Sequence, residues 1–358
     1  MSTRSGSWIC VFCFSLVAGF AQQTEPSGQP APPAPVRTGG NRQLTLDVVV
    51  TDKSGSALPG LKQRDFAILD DKRPQKIESF RAVEGGAAST DPPVEVILLV
   101  DEVNTPFARV AIERTEIEKF LRRNGGALAH PVSMAFFSDS GVAIGNAPSQ
   151  DGNAVVADLD QNRPGLRVLG KSLGSSAAVA HTESSLHALG TLVDYEAARP
   201  GRKLVVWISP GWPFDALTPE WSSKGRQQLF DARVALSEGL RRARITLYNV
   251  DPFGMSDANS PQTTDFTLFS KPLRTAGPVN LGHLALQVFA LNSGGRVLNS
   301  FNDVAGEIAA CVADANAFYV LSFDAPPGTG TNEYHAVDIK IGKPGLVART
   351  QSGYYAQQ

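Results

Sequence analysis

The sequence predicts a doubly wound, mostly parallel α/β sheet inserted into a small β-sandwich that N- and C-terminal strands build together. Three observations carry this expectation. Between residues 93 and 316, apolar runs alternate with segments of helical spacing, the pattern of parallel strands covered on both faces by helices. Both flanking segments, 42–90 and 317–358, instead alternate apolar with polar residues, as half-buried strands do. Neither flank, at about 40 residues, is long enough to hold a core alone, so the two are expected to pair.

Arg4, the apolar stretch from Trp8 to Phe20 and the small residues Gly19 and Ala21 form the three-part pattern of a secretory signal, residues 1–21, cleaved after Ala21. The run is too short for a membrane span, so no stable span is expected after cleavage and the protein is expected to be exported: periplasmic, surface-held or secreted. Cys10 and Cys13 leave with the signal, and only Cys311 remains. It lies on the stripe Val304, Ile308, Cys311, Val312 and Ala315 and is expected to be a buried structural thiol. Residues 22–41, with Pro30, Pro32, Pro33 and Pro35, read as a disordered tether.

In the first β segment Leu44, Leu46, Val48 and Val50 alternate, and Asp52-Lys53-Ser54-Gly55 supplies a turn. Strands are expected at 66–69 and 75–80. In the α/β segment they are expected at 95–100, 132–137, 204–208, 245–250 and 296–299. Helical faces comprise Val110, Ile117, Phe120 and Leu121 before Gly125-Gly126; Leu186, Leu189 and Val193; Phe230, Val234 and Leu240; and Leu284, Val288 and Leu291 before Gly294-Gly295. In the second β segment, 318–323, the alternating Val337, Ile339 and Ile341, and a closing Gly353-Tyr354-Tyr355 read as strands around a Pro326-Pro327-Gly328 turn.

A formal net charge of -2, with 33 basic against 35 acidic residues, leaves no electrostatic footprint for nucleic acid or anionic lipid. The run 165–172 has the spacing of a phosphate loop. The polar stretch before it is no strand and Gly174 weakens any helix after it, so a surface loop is expected. Ser209 follows a core strand, but Trp207-Ile208-Ser209-Pro210-Gly211 lacks the first glycine of a nucleophile elbow. No His-Glu-x-x-His pattern or cysteine cluster is present. The apolar run that ends at Asp101 places that carboxylate at the sheet edge where open α/β folds bind ligands.

The order of parts resembles the VWFA-related family of secreted bacterial proteins, which carry a von Willebrand factor type A domain of Rossmann-like fold. The resemblance rests on Val48-Val49-Val50-Thr51-Asp52-Lys53-Ser54-Gly55, Leu61 with Asp65-Phe66, Gln75 to Phe80, Arg202-Lys203 before Ile208-Ser209-Pro210-Gly211, and Gly353-Tyr354-Tyr355. It implies a metal-ion-dependent adhesion site in which Asp-x-Ser-x-Ser, a threonine and a distal aspartate hold Mg²⁺. Here the first motif reads Asp101-Glu102-Val103-Asn104-Thr105, Thr182 stands at the threonine position, and Ser209-Pro210-Gly211 replaces the segment with the distal acid.

Asp101, Thr105 and Thr182 therefore remain as metal ligands, while Val103 and Pro210 carry no ligand oxygen on their side chains. Two losses from an octahedral oxygen set predict weak or absent Mg²⁺ unless Asn104, Glu102 or Asp139 substitutes, so no cofactor is expected and Asp101 would fix the loop by hydrogen bonds. Thr182 has an alternative role as a helix N-cap. The resemblance implies an exported, non-catalytic protein-interaction or adhesion module with a degenerate site. Its partner would be a protein at or beyond the cell envelope, contacted through a loop edge built from 101–107, Thr182 and 209–214, chiefly Asp101, Asn104, Thr105, Thr182, Ser209, Trp212 and Phe214. Exposed aromatics at Trp212, Phe214 and Trp221 would suit such a surface. The alternative is a hydrolase acting at the same edge through Ser209 or Asp101.

Overall fold

The computed structural model describes residues 42–84, 92–162, 175–212, 221–253, 266–299 and 303–356. The segments read as a signal, a tether and a phosphate-loop-like run, together with Phe214, lie outside the described residues.

The first β segment forms β1 (Gln43–Thr51), β2 (Phe66–Asp70), β3 (Arg73–Gln75) and β4 (Ser79–Glu84). The α/β segment follows with β5 (Glu95–Asp101), α1 (Phe107–Leu121), β6 (Ala127–Ser138), β7 (Gly141–Ile144), β8 (Ser149–Asp151), α2 (Gly152–Gln161) and α3 (Ser175–Ala197). It continues through β9 (Lys203–Ile208), α4 (Ser223–Arg242), β10 (Ile245–Val250), α5 (Leu286–Asn292), β11 (Val297–Leu298) and α6 (Val304–Val312). The last segment holds β12 (Ala317–Asp324), β13 (Glu333–Ile341), β14 (Val347–Arg349) and β15 (Gly353–Ala356).

The central sheet has the order β11-β10-β9-β5-β6-β7, with β8 also pairing β6. Its strands are parallel except β7 and β8, which run against β6. In order of appearance within this layer, β5, β6, β7, β9, β10 and β11 lie as 3-2-1-4-5-6, the doubly wound order whose switch point falls between the first and fourth strands. Here that point separates β5 from β9. Apolar side chains on both faces of these strands explain the order: Val96, Leu98 and Val100 face one core, Ile97 and Leu99 the other.

The sandwich consists of two antiparallel sheets, β14-β1-β12-β4 and β15-β13-β2-β3, each mixing strands from both ends of the chain. Leu44, Leu46, Val48 and Val50 of β1 point into the core between them, beside Tyr319, Leu321 and Phe323. Val49, on the opposite face of β1, packs into the α/β core.

Polar contacts fasten the two layers. Asp314 receives Arg349 Nη2 at 2.8 Å and Tyr248 Oη at 2.8 Å, with Arg296 Nη2 at 3.7 Å. Arg202 donates to the Asp314 carbonyl at 3.1 Å and stacks over Phe318, its Cζ 4.4 Å from the ring centre. Lys203, fully buried, donates to the carbonyls of Glu196, Arg199 and Ala243, where α3 and α4 end. An ammonium there offers orphan helix-end carbonyls a shared charged donor. The Arg202-Lys203 pair thus has a structural role in joining helices, sheet and sandwich.

Two expectations need correction. The strand expected at 75–80 is broken, because Gln75 ends β3 in one sheet and Ser79 begins β4 in the other, with Glu78 N already donating to Ser322 O at 2.8 Å. Thr182 is no N-cap, because the helix begins at Ser175; Ala177, Ala178 and Ala180 favour extending it upstream.

Candidate functional site: the switch-point edge

The edge forms where β5 and β9 end side by side. Asp101 closes β5, pairs in register with Phe137 of β6, and is 0% exposed. Its Oδ1 accepts from Val103 N at 3.0 Å and Asn104 N at 2.8 Å; its Oδ2 accepts from Asn104 Nδ2 at 2.8 Å and Trp207 Nε1 at 2.9 Å. Burial pushes the Asp101 pKa above the ordinary carboxylate range, while Asn104, Trp207 and the Ser209 hydroxyl pull it down. Burial prevails because none of these donors carries a full positive charge.

The neighbouring elements are locked in the same way. Asn104 Nδ2 also donates to Ser185 Oγ at 3.0 Å on α3, and Ser185 Oγ donates to the His181 carbonyl at 2.8 Å. Thr105 Oγ1 donates to Glu113 Oε1 at 2.8 Å on α1. Ser209 Oγ accepts from Gly211 N at 3.1 Å, and its carbonyl receives Asn249 Nδ2 at 2.8 Å. Gly211 has φ +102°, and a Cβ there would lie 1.9 Å from Gln287 Nε2; the bend after β9 therefore requires glycine.

The structure brings Asp101, Asn104 and Ser209 together, with Thr105 and Thr182 buried on the elements that flank them. Trp212 requires a correction. It is fully buried in the α/β core, edge-on to Trp207 at 5.3 Å between ring centres and 6.2 Å from Phe289, so its ring presents no surface to a partner. Trp221 packs beside Leu281, Ala285 and Val288. Asp101, Thr105, Thr182 and Ser209 are likewise buried, whereas Asn104 is partly open. The loop edge expected from Asp101 to Phe107 ends in an exposed ridge that continues to Arg109, where Phe107 is 62% exposed and Arg109 Cζ lies 5.1 Å from the Phe253 ring centre. Sequence reasoning missed Arg109, because the proline and the following apolar residue signal a helix entry and not a binding edge that continues into α1.

The donors around Asp101 are N–H and O–H groups, which offer the carboxylate positive charge as a cation would and so occupy the lone pairs a cation needs. A divalent ion needs carboxylate lone pairs free of such donors and further oxygens in octahedral array, and both Asp101 oxygens already accept two N–H bonds each. This geometry fits Mg²⁺ poorly. Ser209 has no imidazole among its hydrogen-bond partners in the described residues, so the Ser-base pairing needed for a nucleophile is not formed there.

One further cluster of potential metal ligands occurs among the described residues: Asp70, Asp71 and His335 in the sandwich. Its oxygens are engaged as well. His335 Nδ1 lies 3.1 Å from Asp70 Oδ1, Tyr354 Oη donates to Asp70 Oδ2 at 2.9 Å, and Arg274 Nη2 donates to Asp71 Oδ1 at 3.0 Å. The imidazole also stacks on Tyr354, with ring centres 5.0 Å apart. The group binds the closing strand to the β2–β3 hairpin.

No family model and no curated protein matches the chain. Solved structures similar to it include an aerotolerance-related membrane protein from Bacteroides fragilis NCTC 9343, at 15% identity and TM-score 0.35 over 62% of this chain and 98% of that one. The manganese-loaded TRAP protein of Plasmodium vivax aligns at 11% identity and TM-score 0.34 over 78% and 98% respectively. The pilus adhesin SpaC of Lactobacillus rhamnosus GG aligns at 12% and 0.36 over 84% of this chain, which spans 43% of the adhesin chain. These likenesses are too distant to bear on function, and the assignment to the doubly wound α/β class rests on the chain's own strand order. Among the described residues no helix is long and apolar enough to cross a membrane.

Proposed function

We propose that the chain is an exported, non-catalytic protein-interaction module of the VWFA-related kind, in which the adhesion-site aspartate serves as an internal hydrogen-bond acceptor. The observation that carries this reading is the pair of Asp101 oxygens, each already accepting two N–H bonds. Binding would then occur without a metal, through what the edge leaves in solvent: Asn104, Pro106, Phe107 and Arg109. An exposed aromatic beside an arginine suits a protein partner, since such residues dominate interface energetics.

Affinity capture from the cell envelope with the purified protein as bait tests the reading. The same partner should be retained with and without EDTA and lost with Phe107→Asp or Arg109→Glu. Capture that requires a divalent cation, or that survives both substitutions, contradicts it. The burial of Ser209 and its bonding to Gly211 and Asp101 also support the non-catalytic reading. Ester or phosphate turnover abolished by Ser209→Ala would reverse it.

A further inference from the structure

Apart from the Asp101 cluster, α4, α5 and the closing strand β15 line a partly open cavity of about 30 Å³, room for a species of one or two waters' size. Arg233, from the middle of α4, lines it and is buried. Its Nη1 donates to the His283 carbonyl at 3.2 Å, and its guanidinium lies over Phe289, Cζ 4.5 Å from the ring centre. With the Asn292 amide turned so that its nitrogen donates to Ser352 Oγ at 3.0 Å and Ser270 O at 3.2 Å, the amide oxygen receives Arg233 Nη2. Arg233 Nε has no acceptor.

The charge is uncompensated as well. Among the described residues no carboxylate forms an ion pair with Arg233; the groups that favour its charged form are the phenols of Tyr355, which also shares a side-chain hydrogen bond with it, and Tyr334. The other cation on the cavity wall, Arg241, is already paired with Glu238 at 2.7 Å. A second donor without an acceptor, Gln351 Nε2, lines the same space. Burial, with Arg233 beside it, also holds the His283 pKa below its usual range. Buried ions are ordinarily paired, and among the described residues Arg233 has no carboxylate partner while it and Gln351, each with an unaccepted N–H, line a small cavity.

We propose that this cavity is a binding site for one small monovalent anion of chloride size, held by Arg233 Nε and Gln351 Nε2 at the seam between α4 and the sandwich strand β15. Its size favours a monatomic anion over sulfate, phosphate and organic acids. Bound there, the anion neutralises Arg233 and braces the closing strand against the helix.

Thermal melts of the full chain in sodium chloride and in sodium gluconate at matched ionic strength test this. Chloride should raise the Tm saturably, by about 2–4 °C between none and about 0.2 M, and sodium sulfate should not reproduce the rise. Arg233→Met should abolish the difference between salts. Gln351→Leu, which keeps the guanidinium, should move the response to higher chloride and serves as the test if Arg233→Met does not fold. Crystals grown in bromide should show an anomalous peak inside the cavity. Equal melting in chloride and gluconate, equal effects of sulfate and chloride, or bromide crystals without that peak would overturn the proposal.

Discussion

At the starting ends of the parallel strands, buried carboxylates meet cations: Glu95 pairs with Arg199 at 2.7 Å, and Asp314 is gripped by Arg349 and flanked by Arg296. At the finishing end, Asp101 meets only amide, indole and hydroxyl donors. The same side-chain chemistry therefore has two uses in one sheet. Of the ion pairs at the first end, Asp314–Arg349 joins the α/β layer to the sandwich, where removing one partner strands a buried charge. Neutral donors at the second end hold a loop while leaving its negative charge unbalanced by any cation, a setting that raises the carboxyl pKa.

Substitutions can break each end in turn. The largest effect is expected for Asp314→Ala, which leaves Arg349 and Arg296 without their carboxylate and Tyr248 without an acceptor; urea unfolding should show a loss of about 3–5 kcal/mol. A loss under about 1 kcal/mol would mean that the seam is not held by this group. Asp101→Ala leaves the backbone donors of Val103 and Asn104 and the Trp207 indole without their acceptor, and should cost about 2–3 kcal/mol. Asn104→Ala removes one donor to Asp101 and one to Ser185, and about 1 kcal/mol is expected because the residue is half-open. If Asn104→Ala proved as damaging as Asp101→Ala, the loop would depend on the amide more than on the carboxylate.

The smallest effect sharpens the electrostatic side. Because the folded-state pKa of Asp101 lies above its unfolded value, its contribution is fully present below the ordinary carboxylate pKa and is lost as pH rises through the raised value. The stability difference between wild type and Asp101→Asn should thus shift against the wild type as pH rises through that window, Glu196 and the other titrating groups being common to both. A difference that stays constant, or shifts the opposite way, would place Asp101 among well-compensated carboxylates.

Much of the fold was legible because burial on both faces leaves an unbroken apolar run, as in 95–100 and 204–208, and because Gly294, at φ +89°, follows the last turn of α5. The polar stretch around Asp158 concealed α2: there Asp158 turns inward to accept from Asn146 N at 2.9 Å, so its burial depends on a partner outside its own segment. The short strands β7, β8 and β14 carry too few residues for a period to register. At the site, the position of Asp101 followed from the apolar run that precedes it. The burial of Trp212 did not, since an aromatic after a strand reads equally as surface or core until Trp207 and Phe289 are placed beside it. The indole bond from Trp207 to Asp101 spans 106 positions in the chain, and no local pattern encodes it.

The central claim is that the Asp101 carboxylate is occupied by internal donors in place of a cation. Titration of the purified protein into Mn²⁺, with free ion read from its paramagnetic resonance signal, tests it most directly. We predict that the free-ion signal persists through millimolar concentrations and is the same for wild type and Asp101→Ala. Stoichiometric loss of that signal in the wild type, restored by Asp101→Ala, would contradict the account.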